Sequence, residues 1–247
     1  MRLGGILDIS TKDIPGRPSM VFFTVGCNFK CGFCHNKYLL HPNVGRDYEI
    51  NYLINQINSN LLVSGISITG GEPTLQDDLI DLCKAIKQKT SKYLSVDTNG
   101  YKPEMIQKII SYIDRVALDL KGPLNPKKYE KITKTYVDIA KIIQTINFLK
   151  QRNNIDFEVR TTYVENLLEP TDLKEIIDFL NDISFKGNFV LQQYQFREGV
   201  GEKFKEIFSK PQHKFLLNLL KPYKSLDLGF NLFLRDEMVG YINIKKL

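Results

Sequence analysis

The chain has 247 residues, 43% hydrophobic and 25% charged, with no Trp and four Cys; this fits one large domain and excludes intrinsic disorder and collagen-like architecture. No run approaches the ~18 consecutive apolar residues of a membrane span, and the N-terminal segment reaches Asp8 without the apolar core of a secretory signal, so the expected location is cytoplasmic, with no membrane partner. The net charge of +6 comes from 34 basic and 28 acidic residues, interspersed along the chain, which marks a mildly basic solvated surface and no nucleic-acid groove.

Apolar, β-rich runs alternate with helical patterns. In chain order the strands are expected at 20–25, 65–69, 93–97, 115–120, 155–164 and 188–196. Helices are expected at 48–60, 77–89, 103–112, 137–151 and 171–181, with Pro103 and the Pro170-Thr171-Asp172 run as start signals. A last helix near 211–220 precedes one or two short strands, and the Lys/Tyr-rich stretch 127–136 reads as a solvated loop. Alternation at this spacing implies βαβ units and a parallel sheet. No linker or repeat divides the chain, so one domain is expected over 1–247, with a core of about 18–200 and a C-terminal extension over 201–247. Six βα units fall short of the eight that close a full barrel.

Several expected strands carry charge near their C-terminal ends: Asp97, then Asp119 and Lys121, then Glu158 and Arg160. Period-two alternation places Ala117, Asp119 and Lys121 on one face. The C-terminal edge is the working end of parallel α/β folds; structural ion pairs at strand ends are the other reading.

The cysteines divide as three plus one. Cys27, Cys31 and Cys34 fall within eight residues directly after the first expected strand, whereas Cys83 sits in the apolar spacing of a helix and reads as a packed core residue. Three thiolates in one Gly-containing loop suit a soft metal centre. A zinc site completed by His35 or His41 is one possibility; an iron–sulfur cluster with one iron lacking a protein thiolate is the other. The segment Ile66-Ser67-Ile68-Thr69-Gly70-Gly71-Glu72-Pro73 ends the next strand.

The spacing Cys-x3-Cys-x2-Cys with Phe33 before the third Cys, followed by an intact GGEP, resembles the radical S-adenosylmethionine (radical SAM) family. The resemblance implies an α/β fold, a partial (β/α)6 TIM-like barrel with short N- and C-terminal extensions. It implies a [4Fe–4S] cluster on Cys27, Cys31 and Cys34, with SAM chelating the fourth iron. A reduced cluster would then cleave SAM to methionine and a 5′-deoxyadenosyl radical that abstracts hydrogen, the protein's task being placement and exclusion of side reactions.

Asp97-Thr98-Asn99-Gly100, Val116-Ala117-Leu118-Asp119-Leu120-Lys121 and Glu158-Val159-Arg160-Thr161-Thr162 resemble, more narrowly, the activating enzymes of glycyl radical enzymes. The overall pattern, including GGILDISTKDIPG near the N-terminus and Leu191-Gln192-Gln193-Tyr194, is most similar to the activating proteins of anaerobic ribonucleoside-triphosphate reductases. The resemblance places Gly70, Gly71 and Glu72 on the methionine moiety of SAM and Phe33 near its adenine. It adds His35, Asp97, Asn99, Asp119, Lys121, Arg160 and Gln195 as SAM-pocket residues. Asp97, Thr98, the Ala117 carbonyl and Asp119 match ligands of a monovalent cation beside SAM. Gln195 stands where the pyruvate formate-lyase activator carries a His. The implied partners are a glycyl radical enzyme as protein substrate and a flavodoxin- or ferredoxin-type electron donor. A radical SAM enzyme acting on a small molecule, like 7-carboxy-7-deazaguanine synthase, and a zinc-binding interaction module are the competing readings.

Overall fold

The computed structural model describes residues 1–41, 43–196, 198–200, 204 and 206–247. In chain order the regular elements are β1 (Arg2–Ile14), β2 (Arg17–Thr24), β3 (Arg46–Asp47), α1 (Ile50–Ser59), β4 (Gly65–Gly70), α2 (Leu79–Lys89), β5 (Tyr93–Thr98), α3 (Pro103–Ile109) and β6 (Arg115–Asp119). They continue as α4 (Pro126–Thr133), α5 (Ile139–Leu149), β7 (Asp156–Tyr163), α6 (Pro170–Asp182), β8 (Asn188–Gln193), α7 (His213–Leu220), β9 (Asn231–Asp236) and β10 (Gly240–Asn243). The fold is α/β with mainly parallel strand pairs, and the chain forms two compact units.

The first unit comprises Met1–Asn28, Asn36–Ala117 and Ala140–Asp156. Its strand order is β3-β1-β2-β4-β5. A hairpin joins β1 to β2 through Pro15-Gly16, where Gly16 takes φ +72°, a region that glycine enters without steric cost. From β2 onward the pairing is parallel: Ser19 to Thr24 run beside Gly65 to Gly70, and β5 lies on the other side of β4. Strand residues Val21, Phe22, Ile66, Ile68, Leu94 and Val96 are buried together with Leu53 and Ile57 of α1 and Leu82, Cys83 and Ile86 of α2. The helical residues recur at the three-to-four spacing of one apolar face. Cys83 is fully buried there.

The second unit comprises Phe29–His35, Leu118–Ile139 and Phe157–Leu247. Its strands β7, β8 and β9 are parallel neighbours, and β10 returns antiparallel to β9. The segment after 209 therefore adds a parallel strand through α7 and continues the βα pattern, where the sequence suggested a terminal appendage. Of the expected core boundary at 200–201, residue 201 lies outside the described residues. A second correction concerns 127–136. Most of it is helix α4, capped by Asn125, whose Oδ1 accepts the Lys128 N–H at 3.1 Å, and opened by Pro126. Lys127 and Lys131 are exposed, Lys128 is half-buried and pairs with Asp172 at 2.6 Å, and Tyr129 and Ile132 are buried. Among the described residues no helix is long and apolar enough to cross a membrane.

Candidate functional site

The cysteine loop leaves the end of β2 in the first unit, and its middle belongs to the second. In the first unit the GGEP turn is fastened to the start of that loop. The Gly71 N–H donates to the Thr24 carbonyl at 2.9 Å, and the Glu72 N–H donates to the Gly26 carbonyl at 2.8 Å. The contact is so close that a Cβ on Gly71 would stand 1.9 Å from the Gly26 oxygen. Gly70 has φ +113°, and its Cβ would stand 2.4 Å from the Thr24 nitrogen. Within the unit these glycines are thus required by backbone-on-backbone packing, a demand the sequence argument attributed to ligand approach alone.

Glu72 is buried, and its carboxylate accepts four hydrogen bonds. Oε1 takes the Thr74 N–H (3.2 Å), the Thr74 hydroxyl (2.5 Å) and the Thr98 hydroxyl (2.7 Å); Oε2 takes the Asn99 N–H (2.7 Å). Burial pushes the carboxyl up, and these donors oppose it. Glu72 therefore ties the GGEP turn to the Asp97-Thr98-Asn99-Gly100 end of β5. Thr98 also accepts the Gly100 N–H at 3.1 Å. Asp97 is buried with Arg115, Nη1 to Oδ1 3.8 Å, and Ala117 is fully buried on β6.

In the second unit, Cys31 is buried and Cys34 half-buried. The Cys34 N–H donates to the Cys31 carbonyl at 3.2 Å, and the Lys30 N–H donates to the Thr133 carbonyl of α4 at 2.9 Å. Tyr129 of α4 meets Phe29 edge-on at 6.2 Å, and its hydroxyl accepts the Lys121 N–H at 3.1 Å. Burial pushes the Cys31 thiol up to about 11 against the pull of the Lys121 ammonium. Phe33 lies edge-on to Tyr194 and Phe208, at 6.4 and 6.5 Å. The His35 ring lies 5.7 Å from Tyr194, and Gln195 donates to Gln193 Oε1. Asn28, Tyr129 and Thr133 support the loop and were not singled out from sequence. The Asn125-Pro126 start signal was the available clue to the last two.

Asp119, Lys121 and Arg160 converge as an ion triad. Arg160 Nε donates to Asp119 Oδ1 at 2.8 Å and Lys121 Nζ to Oδ2 at 3.2 Å. Burial alone would raise the Asp119 carboxyl; the guanidinium and ammonium outweigh it and hold it at about 2. Asp119 and Asp97 each have a cationic side chain nearby within their own unit. Because the folded carboxyl titrates below its unfolded value of ~3.9, its stabilisation is present above pH ~4 and is lost as pH falls toward 2. Melting curves from pH 7 to 2 should show wild type more stable than Asp119→Asn at neutral pH, with the gap closing below pH ~3. A gap independent of pH would contradict the triad.

The radical SAM superfamily model matches residues 21–183. A protein of Methanocaldococcus jannaschii named as a glycyl-radical enzyme activating enzyme is 35% identical over 213 residues, covering 83% of this chain and 85% of that one. Among solved structures, a domain of pyruvate-formate lyase-activating enzyme from Bacteroides vulgatus superposes with TM-score 0.55 at 17% identity, covering 70% of this chain and 99% of that domain. SuiB of Streptococcus suis bound to S-adenosylmethionine superposes with TM-score 0.64 at 17% identity, covering 88% of this chain and 50% of that one. The chain belongs to the radical SAM superfamily.

Proposed function

We propose that this chain is an activase that generates a glycyl radical in a partner enzyme, an anaerobic ribonucleotide reductase. The observation that carries the reading is the hydrogen-bonded continuity of Cys27, the GGEP turn and the DTNG strand end within one unit. The relative named for glycyl-radical enzyme activation, matched over most of both chains, supports the choice of activity.

The residues present fit the cofactors that the family implies. The donor set is three free thiols, and the loop carries a buried amide donor, Asn28 Nδ2, with no partner among the described residues. Such a donor favours an acceptor-rich group at the loop. Cys27, Cys31 and Cys34 would hold a [4Fe–4S] cluster, which in this family supplies an electron for reductive cleavage of SAM. The protein does the rest by binding and orientation. Gly70 and Gly71 shape the turn offered to the methionine end of SAM. Lys121 and Arg160, fixed on Asp119, offer charge-assisted donors to its carboxylate. Phe33, packed against Tyr194 and Phe208, provides apolar cover that keeps water from the reacting atoms. The net charge of +6 suits an acidic flavodoxin- or ferredoxin-type donor, and a cytoplasmic location is part of this proposal.

The test is an EPR spectrum of the anaerobically reconstituted, reduced protein incubated with SAM and a candidate reductase under argon. A glycyl doublet on the reductase is expected. A silent spectrum with every encoded glycyl radical enzyme, together with turnover of a metabolite, would replace activation by small-molecule chemistry.

A further inference from the structure

Asn99 was expected to contact SAM, yet its polar groups are engaged inside the first unit. It is 4% exposed. Its backbone N–H donates to Glu72 Oε2 at 2.7 Å. Its Oδ1 accepts the Tyr101 N–H at 3.0 Å, which fixes the plane of the carboxamide. Its Nδ2 donates to Asn28 Oδ1 at 2.8 Å, and the same nitrogen lies 4.0 Å from Cys27 Sγ.

Asn28 is the residue after Cys27. Its side-chain oxygen is held by Asn99, and its own Nδ2 is buried with no partner among the described residues. The Asn99 carboxamide, just after β5, thus lies near the Cys27 thiol and holds the carboxamide of the next loop residue, Asn28. A neutral thiol is a weak acceptor, whereas a metal-bound thiolate carries the charge that makes an N–H···S contact worthwhile.

We propose that Asn99 is a positioning residue for the cluster ligand Cys27 and not a contact to SAM. Its Nδ2 donates to the Cys27 sulfur, with Asn28 adding a second donor to the sulfur-rich centre. Glu72 sets the position of Asn99 through the backbone, so the GGEP motif reaches the cluster by way of a hydrogen-bond chain. Hydrogen bonds to cluster sulfurs are among the terms that set reduction potential. A donor stabilises the more negative, reduced form and makes reduction easier. The inference rests on the cluster reading proposed above.

The test compares wild type, Asn99→Leu and Asn99→Asp after anaerobic reconstitution. Iron and sulfide content, the midpoint potential from an EPR-monitored titration, and SAM affinity from equilibrium dialysis are measured for each. In Asn99→Leu the reduction equilibrium is expected to fall about tenfold, a shift of about 60 mV for one electron, with SAM affinity within about threefold of wild type. Asn99→Asp keeps the acceptor for the Tyr101 N–H but lacks the donor and adds a negative charge, so its potential should fall further than that of Asn99→Leu; an unchanged potential in it overturns the inference even if Asn99→Leu fails to fold. An unchanged potential in loaded variants would overturn the inference, and a tenfold loss of SAM affinity alongside it would return Asn99 to SAM. A wild type that takes up no iron would overturn the cluster reading itself, and this inference with it.

Discussion

Gly71→Ala is expected to lower stability by about 3 kcal/mol and to abolish cluster uptake. The new Cβ would meet the Gly26 carbonyl oxygen at 1.9 Å and its carbon at 2.7 Å. Both are backbone atoms, so no side chain can swing aside. The turn is also held by the Gly71 and Glu72 N–H bonds to Thr24 and Gly26, each contributing about 1 kcal/mol net. Relief means breaking these bonds or displacing the loop that bears Cys27, at an overpacking cost of about 1–3 kcal/mol. Gly16→Ala is the control: it has positive φ but no atom within 4 Å of its Cβ, so only the left-handed backbone penalty of about 1–2 kcal/mol applies. Urea unfolding should give a lower midpoint for Gly71→Ala with an unchanged slope. A smaller loss than in Gly16→Ala would contradict the packing.

Glu72→Leu is expected to cost about 4 kcal/mol, the second large effect. It leaves two buried backbone donors, the N–H groups of Thr74 and Asn99, without their acceptor, together with two hydroxyls. Each unsatisfied buried donor costs about 1–3 kcal/mol, while the threonine hydroxyls can turn to other acceptors. Glu72→Gln retains one oxygen and should lose only about 1–2 kcal/mol. The graded series distinguishes a carboxylate that joins two motifs from one that only touches SAM. In the second case Glu72→Leu would unfold like wild type and lose SAM affinity alone.

How much of this was legible in the sequence depended on whether a segment's signal was local. The run at 65–69 became β4 (Gly65–Gly70), and 93–97 became β5 (Tyr93–Thr98), because buried parallel strands are near-continuous apolar runs. Strand β1 was invisible to that criterion, since Leu7 and Ile9 are exposed and its partner is the antiparallel β2. The lysines of α4 masked a helix whose inward face needs only Tyr129 and Ile132. At the site, the motifs announced which residues matter but not what they touch. Asp119 finds Arg160 from another strand, and Asn99 turns toward Asn28 and Cys27 from 71 and 72 positions away. Such pairings are products of topology, so residue type alone left both the cation and the Asn99 assignments resting on resemblance.

As a member of the radical SAM superfamily, the chain is expected to cleave SAM with a cluster held by its three loop cysteines. The direct measurement is 5′-deoxyadenosine released from SAM under dithionite, alongside iron and sulfide content, for reconstituted wild type and for Cys27→Ala, Cys31→Ala and Cys34→Ala. A loaded wild type should release 5′-deoxyadenosine, and the three variants should release none while Cys83→Ala behaves as wild type. Zinc in place of iron, or SAM cleavage that survives loss of a loop cysteine, would contradict this expectation.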